Sequence, residues 1–318
     1  MVTIRHRLET MPIIIKENRM SKTQNVLITG SSSGFGFLTA QTLLKEGHTV
    51  LATMRGLEGK NAANASQLQA FASSQPGTLH LLELDVTSDA SVQAAIGQAL
   101  ELAGHLDVVV NNAGMGSGGL TETHTAKDFQ KVFDVNVFGV QRVNRAVLPA
   151  MRERGSGLLI HISSIIGRIV MPFALAGSYA ASKFAVEALA ETYSYELAGT
   201  GVDVAIIQPG PFPTKFIPNV EMVTNNAITS SYGANADISE QMLGNFMQMM
   251  SGENAPDPQA VADRILTLVQ TPAGSRPLRT IVDPMMGGGG AETINQLSSE
   301  VQSQLLTGLG IGHVLSVK

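Results

Sequence analysis

Val26-Leu27-Ile28-Thr29, running straight into Gly30-Ser31-Ser32-Ser33-Gly34-Phe35-Gly36, is the stretch that decides the fold. The apolar, β-branched run reads as a short strand, the glycines as a turn, and residues 37–46, closed by Gly47, as a helix. Strand, glycine turn and helix in that order make a phosphate-binding geometry. The backbone must turn sharply and approach a pyrophosphate, whose charge is met by amide N–H groups and the positive end of the helix. Scattered glycines in a chain that holds 32 of them are commonly loops, so the flanking strand and helix carry the reading.

The same period repeats downstream. Residues 48–54 form a second strand and residues 60–76 a modest helix and turn; residues 79–86 form a third strand carrying Asp85 and Val86 at its end. Ser88 is a helix cap for residues up to about 103, and the almost wholly apolar residues 106–110 suit a central strand covered on both faces. That strand ends in Asn111-Asn112-Ala113-Gly114, where open α/β sheets bind ligands. One long helix over 125–153, with Asn136 inside it, precedes strands at 158–162 and 202–208, a helix at 258–269 and a last strand at 280–282. Strand alternating with helix predicts the fold class: α/β, one doubly wound domain with a parallel sheet. At the end of the second strand stands Arg55, with no acidic residue to hydrogen-bond an adenine ribose. A planar guanidinium suits a 2′-phosphate, which favours NADP(H) over NAD(H).

Composition removes whole classes of function. The 318 residues are 44% hydrophobic, enough for one large core, and the net charge of −5 comes without the basic run that a nucleic-acid footprint needs. With no cysteine there is no disulfide, zinc thiolate or thiol nucleophile, and the seven histidines lack metal-ligand spacing, so no metal is expected. His161, inside a strand, reads as a core residue. No apolar run reaches membrane-spanning length: residues 165–181 are broken by Gly167, Arg168 and Pro172. The expectation is a soluble, cytoplasmic protein. Residues 1–21 read as an extension, with a basic start and Ile13-Ile14-Ile15 but no signal-length apolar region.

Chemistry enters at Ser178-Tyr179-Ala180-Ala181-Ser182-Lys183, which sets a phenol and an ammonium four residues apart, on one face of a helix. A lysine cation beside the hydroxyl is expected to lower a pKa that is otherwise about 10, giving an acid and base usable near neutrality.

Taken together, Thr29-Gly30-x-x-x-Gly34-x-Gly36, Asn111-Asn112-Ala113-Gly114, Asn136, Ser164, Tyr179-x-x-x-Lys183 and Pro209-Gly210-x-x-x-Thr214 resemble the short-chain dehydrogenase/reductase family in residue type and order. The likeness covers residues 22–285. It implies a single Rossmann domain with a seven-stranded parallel sheet, a catalytic set of Asn136, Ser164, Tyr179 and Lys183, and homodimers or homotetramers paired through helices at about 125–153 and 178–198. It further implies a nicotinamide cofactor bound by Gly30, Ser32, Ser33, Gly34, Phe35, Gly36, Arg55, Asp85, Val86, Asn112, Ala113, Gly114, Tyr179, Lys183, Pro209, Gly210 and Thr214. Thr214 would meet the carboxamide and Asp85 would lie near the adenine. Ala52-Thr53-Met54-Arg55 and Pro277-Leu278-Arg279-Thr280 look most like the branch of hydroxysteroid and retinol dehydrogenases. The implied reaction is hydride transfer between nicotinamide and a carbonyl or alcohol, with a water held by Asn136 refilling the proton through Lys183.

Phe35 stands where the family has Ile, which is expected to crowd the turn, and the stretch from Ser164 to Tyr179 is about two residues long, the surplus falling in 174–178. Ser163 is the alternative to Ser164. Residues 211–255 read as an irregular, Met-rich substrate lid in which Met222, Met242, Met247, Met249 and Met250 line an adaptable apolar pocket. Gly287 to Gly290 read as a hinge, and the tail 286–318 as a packing helix with an apolar stripe at Ile294, Leu297, Val301 and Leu305. Two other functions remain: a nucleotide sensor, which has no need of the Ser, Tyr and Lys set, and a nucleotide-sugar epimerase or dehydratase, which has different glycine spacing.

Overall fold

The computed structural model describes residues 23–170, 177–285 and 288–315, the side chains of positions 239 and 243 excepted. The extension at 1–21, Pro172, residues 174–176 of the surplus, and Gly287 lie outside the described residues. In chain order come β1 (Asn25–Ile28), α1 (Gly34–Lys45), β2 (Thr49–Met54), α2 (Ala62–Ala72), β3 (Thr78–Glu83), α3 (Asp89–Ala103) and β4 (Val108–Asn111). A two-residue β5 (Ser117–Gly118) leads to α4 (Ala126–Phe133), α5 (Gly139–Arg154), β6 (Gly157–Ile162), α6 (Gly177–Glu196) and β7 (Val202–Pro209). The rest is β8 (Glu221–Met222), α7 (Asn226–Ser231), α8 (Ala234–Ser251), α9 (Gln259–Gln270), β9 (Arg279–Val282) and α10 (Gly289–Gly308).

Seven parallel strands form one sheet in the order β3-β2-β1-β4-β6-β7-β9. Side chains alternate across it: Val26, Ile28, Val108 and Val110 meet α1, α2 and α9, while Leu27 and Val109 face α3, α5 and α6. The strand order reverses between β1 and β4. In an open α/β sheet that reversal opens a crevice at the carboxyl ends of the two strands, which positions the site.

Several expectations are corrected. β3 ends at Glu83, two residues short of Asp85, so Asp85 and Val86 stand in the connection that follows. The helix over 125–153 is two helices joined by a π-helical turn at Asp134–Phe138; Thr125 and Asp128 cap its start reciprocally. Residues 211–255 are irregular only in part: 211–216 and 223–225 are loop, whereas α7 and the Met-containing α8 are helical. Gly289 and Gly290 lie in α10, with Gly288 in the left-handed region (φ +58°) at its start. α10 docks through Ala291, Asn295 and Leu306, and the expected packing stripe faces outward, Leu297 being 61% and Val301 55% exposed. On the helices through which the resemblance implies pairing, Val140, Leu148 and Ala190 are buried in the chain's own core, whereas Phe184, and Phe138 just before α5, face out.

Candidate active site

The glycine turn is built by exclusion. Gly30 (φ +72°) and Gly34 (φ +56°) occupy the left-handed region, and a Cβ at Gly36 would stand 2.5 Å from both Asn112 Nδ2 and Gly30 O. α1 therefore begins inside the turn, at Gly34 rather than at residue 37, and Ser33, its N-cap, has no capping side-chain hydrogen bond. Asn112 holds the turn from β4: its Nδ2 donates to Thr29 O (2.9 Å) and Gly30 O (3.0 Å), while Thr29 Oγ1 accepts from the Asn112 and Ala113 amides (3.0 Å each). Thr214 Cβ lies 3.5 Å from the Cβ position of Gly34, so the loop after β7 covers the turn. Phe35 does not crowd it, because its ring packs edge-on against Phe212 at 5.5 Å.

Beside β2 the expected adenosine contacts divide. Arg55 Nη1 lies 3.8 Å from Asp85 Oδ2, both side chains partly exposed. Burial pushes the Asp85 carboxyl up, but hydrogen bonds from the Thr87 amide and hydroxyl, with the Arg55 and Lys60 charges, outweigh it and hold the group below the usual carboxylate range. Val86 turns inward, against the start of α5 at Gly139, and its carbonyl accepts from Arg142 Nη1 at 3.1 Å. Gly210 donates to Val282 O at 2.8 Å and has Asp283 against its Cα.

Ser164, Tyr179 and Lys183 converge at the ends of β6 and α6, all three buried. Ser164 Oγ accepts from Ile166 N at 3.2 Å and donates to Pro209 O at 3.4 Å, and Lys183 Nζ sits 5.7 Å from the Tyr179 ring centre and donates to Ile162 O at 2.9 Å. Ser163 donates from its amide to Ile207 O at 2.8 Å, and its Oγ, which a Cβ at Gly167 would meet at 2.7 Å, has no hydrogen-bond partner among the described residues. The expected lowering of the phenol by Lys183 is not seen. Burial pushes Tyr179 well above the ordinary tyrosine value, opposed by the Ser164 hydroxyl, while burial lowers Lys183 to about 8 against the pull of Glu187. The ammonium lies by the ring and the Ile162 carbonyl, and both groups are buried.

Asn136 lies in the π-helical turn. Its Oδ1 accepts from Met115 N (2.8 Å) and its Nδ2 donates to Met115 O (3.0 Å) and Ser182 Oγ (3.0 Å), tying the exit of β4 to α6. Both ends of the amide are thus engaged by protein groups. His161 is fully buried in β6, its Nε2 facing Asn144 Nδ2 at 3.4 Å; burial, then the Lys183 charge, lowers it to about 4.

Sequence reading missed four participants. Ser182 links Asn136 to the Tyr179 carbonyl (2.7 Å), and Phe216 packs its ring 5.6 Å from that of Tyr179. Glu187, one turn beyond Lys183, is held by Arg279 Nε (2.8 Å) and Gln208 Nε2 (2.9 Å). Glu83 accepts from two backbone amides after β2. The i, i+4 spacing of Lys183 and Glu187 and the i, i+3 spacing of Tyr179 and Ser182 were usable signals; Phe216 and Glu83 join through space alone.

The profile of the family described as short chain dehydrogenase matches residues 24–245. The chain belongs to the short-chain dehydrogenase/reductase family. It is 36% identical to a 3-ketodihydrosphingosine reductase of Bacteroides thetaiotaomicron over 83% of this chain and 89% of that protein. It is also 36% identical to 17-beta-hydroxysteroid dehydrogenase type 1 of Mus musculus over 78% of this chain and 70% of that one. A crystal structure of a short chain dehydrogenase/reductase from Burkholderia phymatum in complex with NAD superposes with a TM-score of 0.70 at 25% identity, covering 89% of this chain and 96% of that chain. As a short-chain dehydrogenase/reductase of the hydroxysteroid and retinol branch, the protein is an NAD(P)-binding oxidoreductase. The turn fits a pyrophosphate on its own geometry, since side chains at Gly30, Gly34 or Gly36 would fill the cradle or strain its backbone. No metal-holding cluster of His, Asp or Glu occurs among the described residues, and no described helix is long and apolar enough to cross a membrane.

Proposed function

We propose that this protein uses NADP(H) to interconvert an apolar carbonyl compound and its alcohol, with Tyr179 as the proton donor and acceptor. What carries the reading is the meeting of Ser164, Tyr179 and Lys183, braced by Asn136, beside a pyrophosphate-sized glycine turn at the strand-order reversal. The bound nicotinamide supplies or accepts the hydride. In reduction, Tyr179, held protonated by burial, gives its proton to the carbonyl oxygen, and the Ser164 hydroxyl hydrogen-bonds that oxygen. Lys183 would hold the cofactor's nicotinamide ribose. The Asn136 amide, engaged at both ends by Met115 and Ser182, braces the site. Gly30, Ser32, Ser33, Gly34 and Gly36 hold the pyrophosphate, Asp85 the adenine, and Thr214 the carboxamide.

An apolar substrate is supported by relatives named for a ketodihydrosphingosine and for hydroxysteroids, and by residues 211–255, the proposed lid, where Met222, Met247 and Met249 are exposed. Arg55 sets the cofactor: a charge-assisted contact of about 1.5–3 kcal/mol gives NADPH roughly a ten- to hundredfold advantage, reversed in Arg55→Asp. Equal kcat/KM for NADPH and NADH contradicts it. We place the protein in the cytoplasm, to be checked by fractionation, as a homodimer or homotetramer; a monomer mass from light scattering at micromolar concentration rejects the assembly. The decisive experiment follows absorbance at 340 nm with NADPH and a panel of long-chain ketones, steroids and retinoids. Turnover is expected; tight NADPH binding with no turnover across the panel favours the sensor instead.

A further inference from the structure

Glu83 is the last residue of β3 and pairs in register with Met54, the last residue of β2. Its side chain is exposed but not unpartnered. Oε1 accepts from the Gly56 amide and Oε2 from the Leu57 amide, each at 2.7 Å, so both oxygens cap the turn that leaves β2. Two successive N–H groups converging on one carboxylate form an anion-holding concavity. Gly56 has φ +62°, and its carbonyl accepts from the Gly59 and Asn61 amides at 3.0 Å, which closes the turn on its far side. Asn61 Nδ2 donates to Arg55 O at 2.6 Å. Arg55, directly before the capped amides, is therefore held at its carbonyl by the Asn61 side chain and, through the next two amides, by Glu83, while its guanidinium reaches toward Asp85.

We infer that Glu83 is a positioning residue for cofactor choice: by capping the Gly56 and Leu57 amides it fixes the backbone of Arg55 so that the guanidinium is presented to a 2′-phosphate. This rests on the NADP(H) reading given above. Glu83 acts through Arg55 and has no contact with the phosphate. An exposed arginine on an uncapped turn must lose backbone freedom as well as rotamer freedom when it grips a ligand, which weakens the contact. The capped turn has lost the backbone part on folding. NADH, lacking the 2′-phosphate, draws nothing from Arg55, so the effect is confined to the phosphorylated cofactor.

The test is equilibrium binding, read from the fluorescence of the reduced nicotinamide, for NADPH and NADH with the unmodified protein, Glu83→Ala and Glu83→Gln. Glu83→Ala should raise the Kd for NADPH about tenfold, the scale of one charge-assisted hydrogen bond, and shift that for NADH less than about twofold. Glu83→Gln keeps one acceptor oxygen and should fall between. A purely structural role for Glu83 would weaken both cofactors alike and overturns the inference. So does a rise in NADPH affinity in both variants, which would make the carboxylate a repulsive charge rather than a brace. If the unmodified protein prefers NADPH and Glu83→Ala keeps the same preference, the inference alone fails. If the unmodified protein binds both cofactors equally, the cofactor reading falls and the inference falls with it.

Discussion

The glycine turn after β1 and the lysine helix α6 both hold backbone in place for a site, but by opposite means. The turn is held by neutral groups: one asparagine amide, one threonine hydroxyl and the main-chain atoms of Thr29 and Gly30. α6 is held by buried charge. Glu187 and Glu191 pair with Arg279 (2.8 and 2.5 Å), Gln208 bonds Glu187, and Asn295 on α10 links Gln208 (2.7 Å) to Arg168 (2.8 Å) beyond Ser164. Neutral bonds shape a surface that must accept an anion without repelling it. Buried charges fix a helix whose lysine must stay dry, at the risk that any one of them becomes unpaired.

The largest expected effect separates chemistry from this scaffolding. Tyr179→Phe keeps the ring against Phe216 but removes the proton donor, so kcat should fall at least about a hundredfold while NADPH affinity and folding are retained. Retention of more than about a tenth of kcat on a good carbonyl substrate refutes the assigned acid. Arg279→Met then probes the charged half. It leaves two buried carboxylates without their cation, and should destabilise the fold by about 3–5 kcal/mol in chemical denaturation. A loss under about 1 kcal/mol would mean the network braces nothing.

His161 gives a smaller, pH-dependent contrast on the strand between the two. Its folded pKa of about 4 lies below the ordinary 6.5, so the unfolded chain takes up more protons between those values. Above about 6.5 the group contributes nothing to the pH dependence; stability is lost as pH falls from 6.5 to 4, by up to about 3 kcal/mol. Denaturation midpoints of His161→Gln, which cannot titrate, should show a flatter acid limb than those of the unmodified protein. Parallel limbs would show that His161 is not the acid-sensitive group.

This contrast also explains what was legible in the sequence. Gly30, Gly34 and Gly36 are required by backbone angle and by missing space, constraints that few other residues satisfy, so the turn and its flanking strand and helix could be read directly. The recurring period of strand then helix likewise made the parallel sheet legible. The brace of α6 was hidden because Arg168 and Asn295 stand 127 positions apart and Glu187 and Arg279 stand 92 apart, with no local pattern joining them. The π-helical turn at Asn136 was hidden for the same reason: the partners of Asn136, Met115 and Ser182, stand 21 and 46 positions away. The apolar stripe of α10 misled because a hydrogen-bonding face, centred on Asn295, docks instead.

Asn112 has one consequence for nucleotide affinity. Its amide bridges the Thr29 and Gly30 carbonyls, and those bonds involve no ligand atom. The cradle is therefore rigid as a property of the folded chain, and a nucleotide arriving there need not order a floppy loop. Freezing a residue's backbone takes about 1–2 kcal/mol of conformational entropy, and here that loss for the turn belongs to folding rather than to binding. Cofactor affinity can then be tuned at the distant adenosine end, by groups such as Arg55, without the pyrophosphate site having to change.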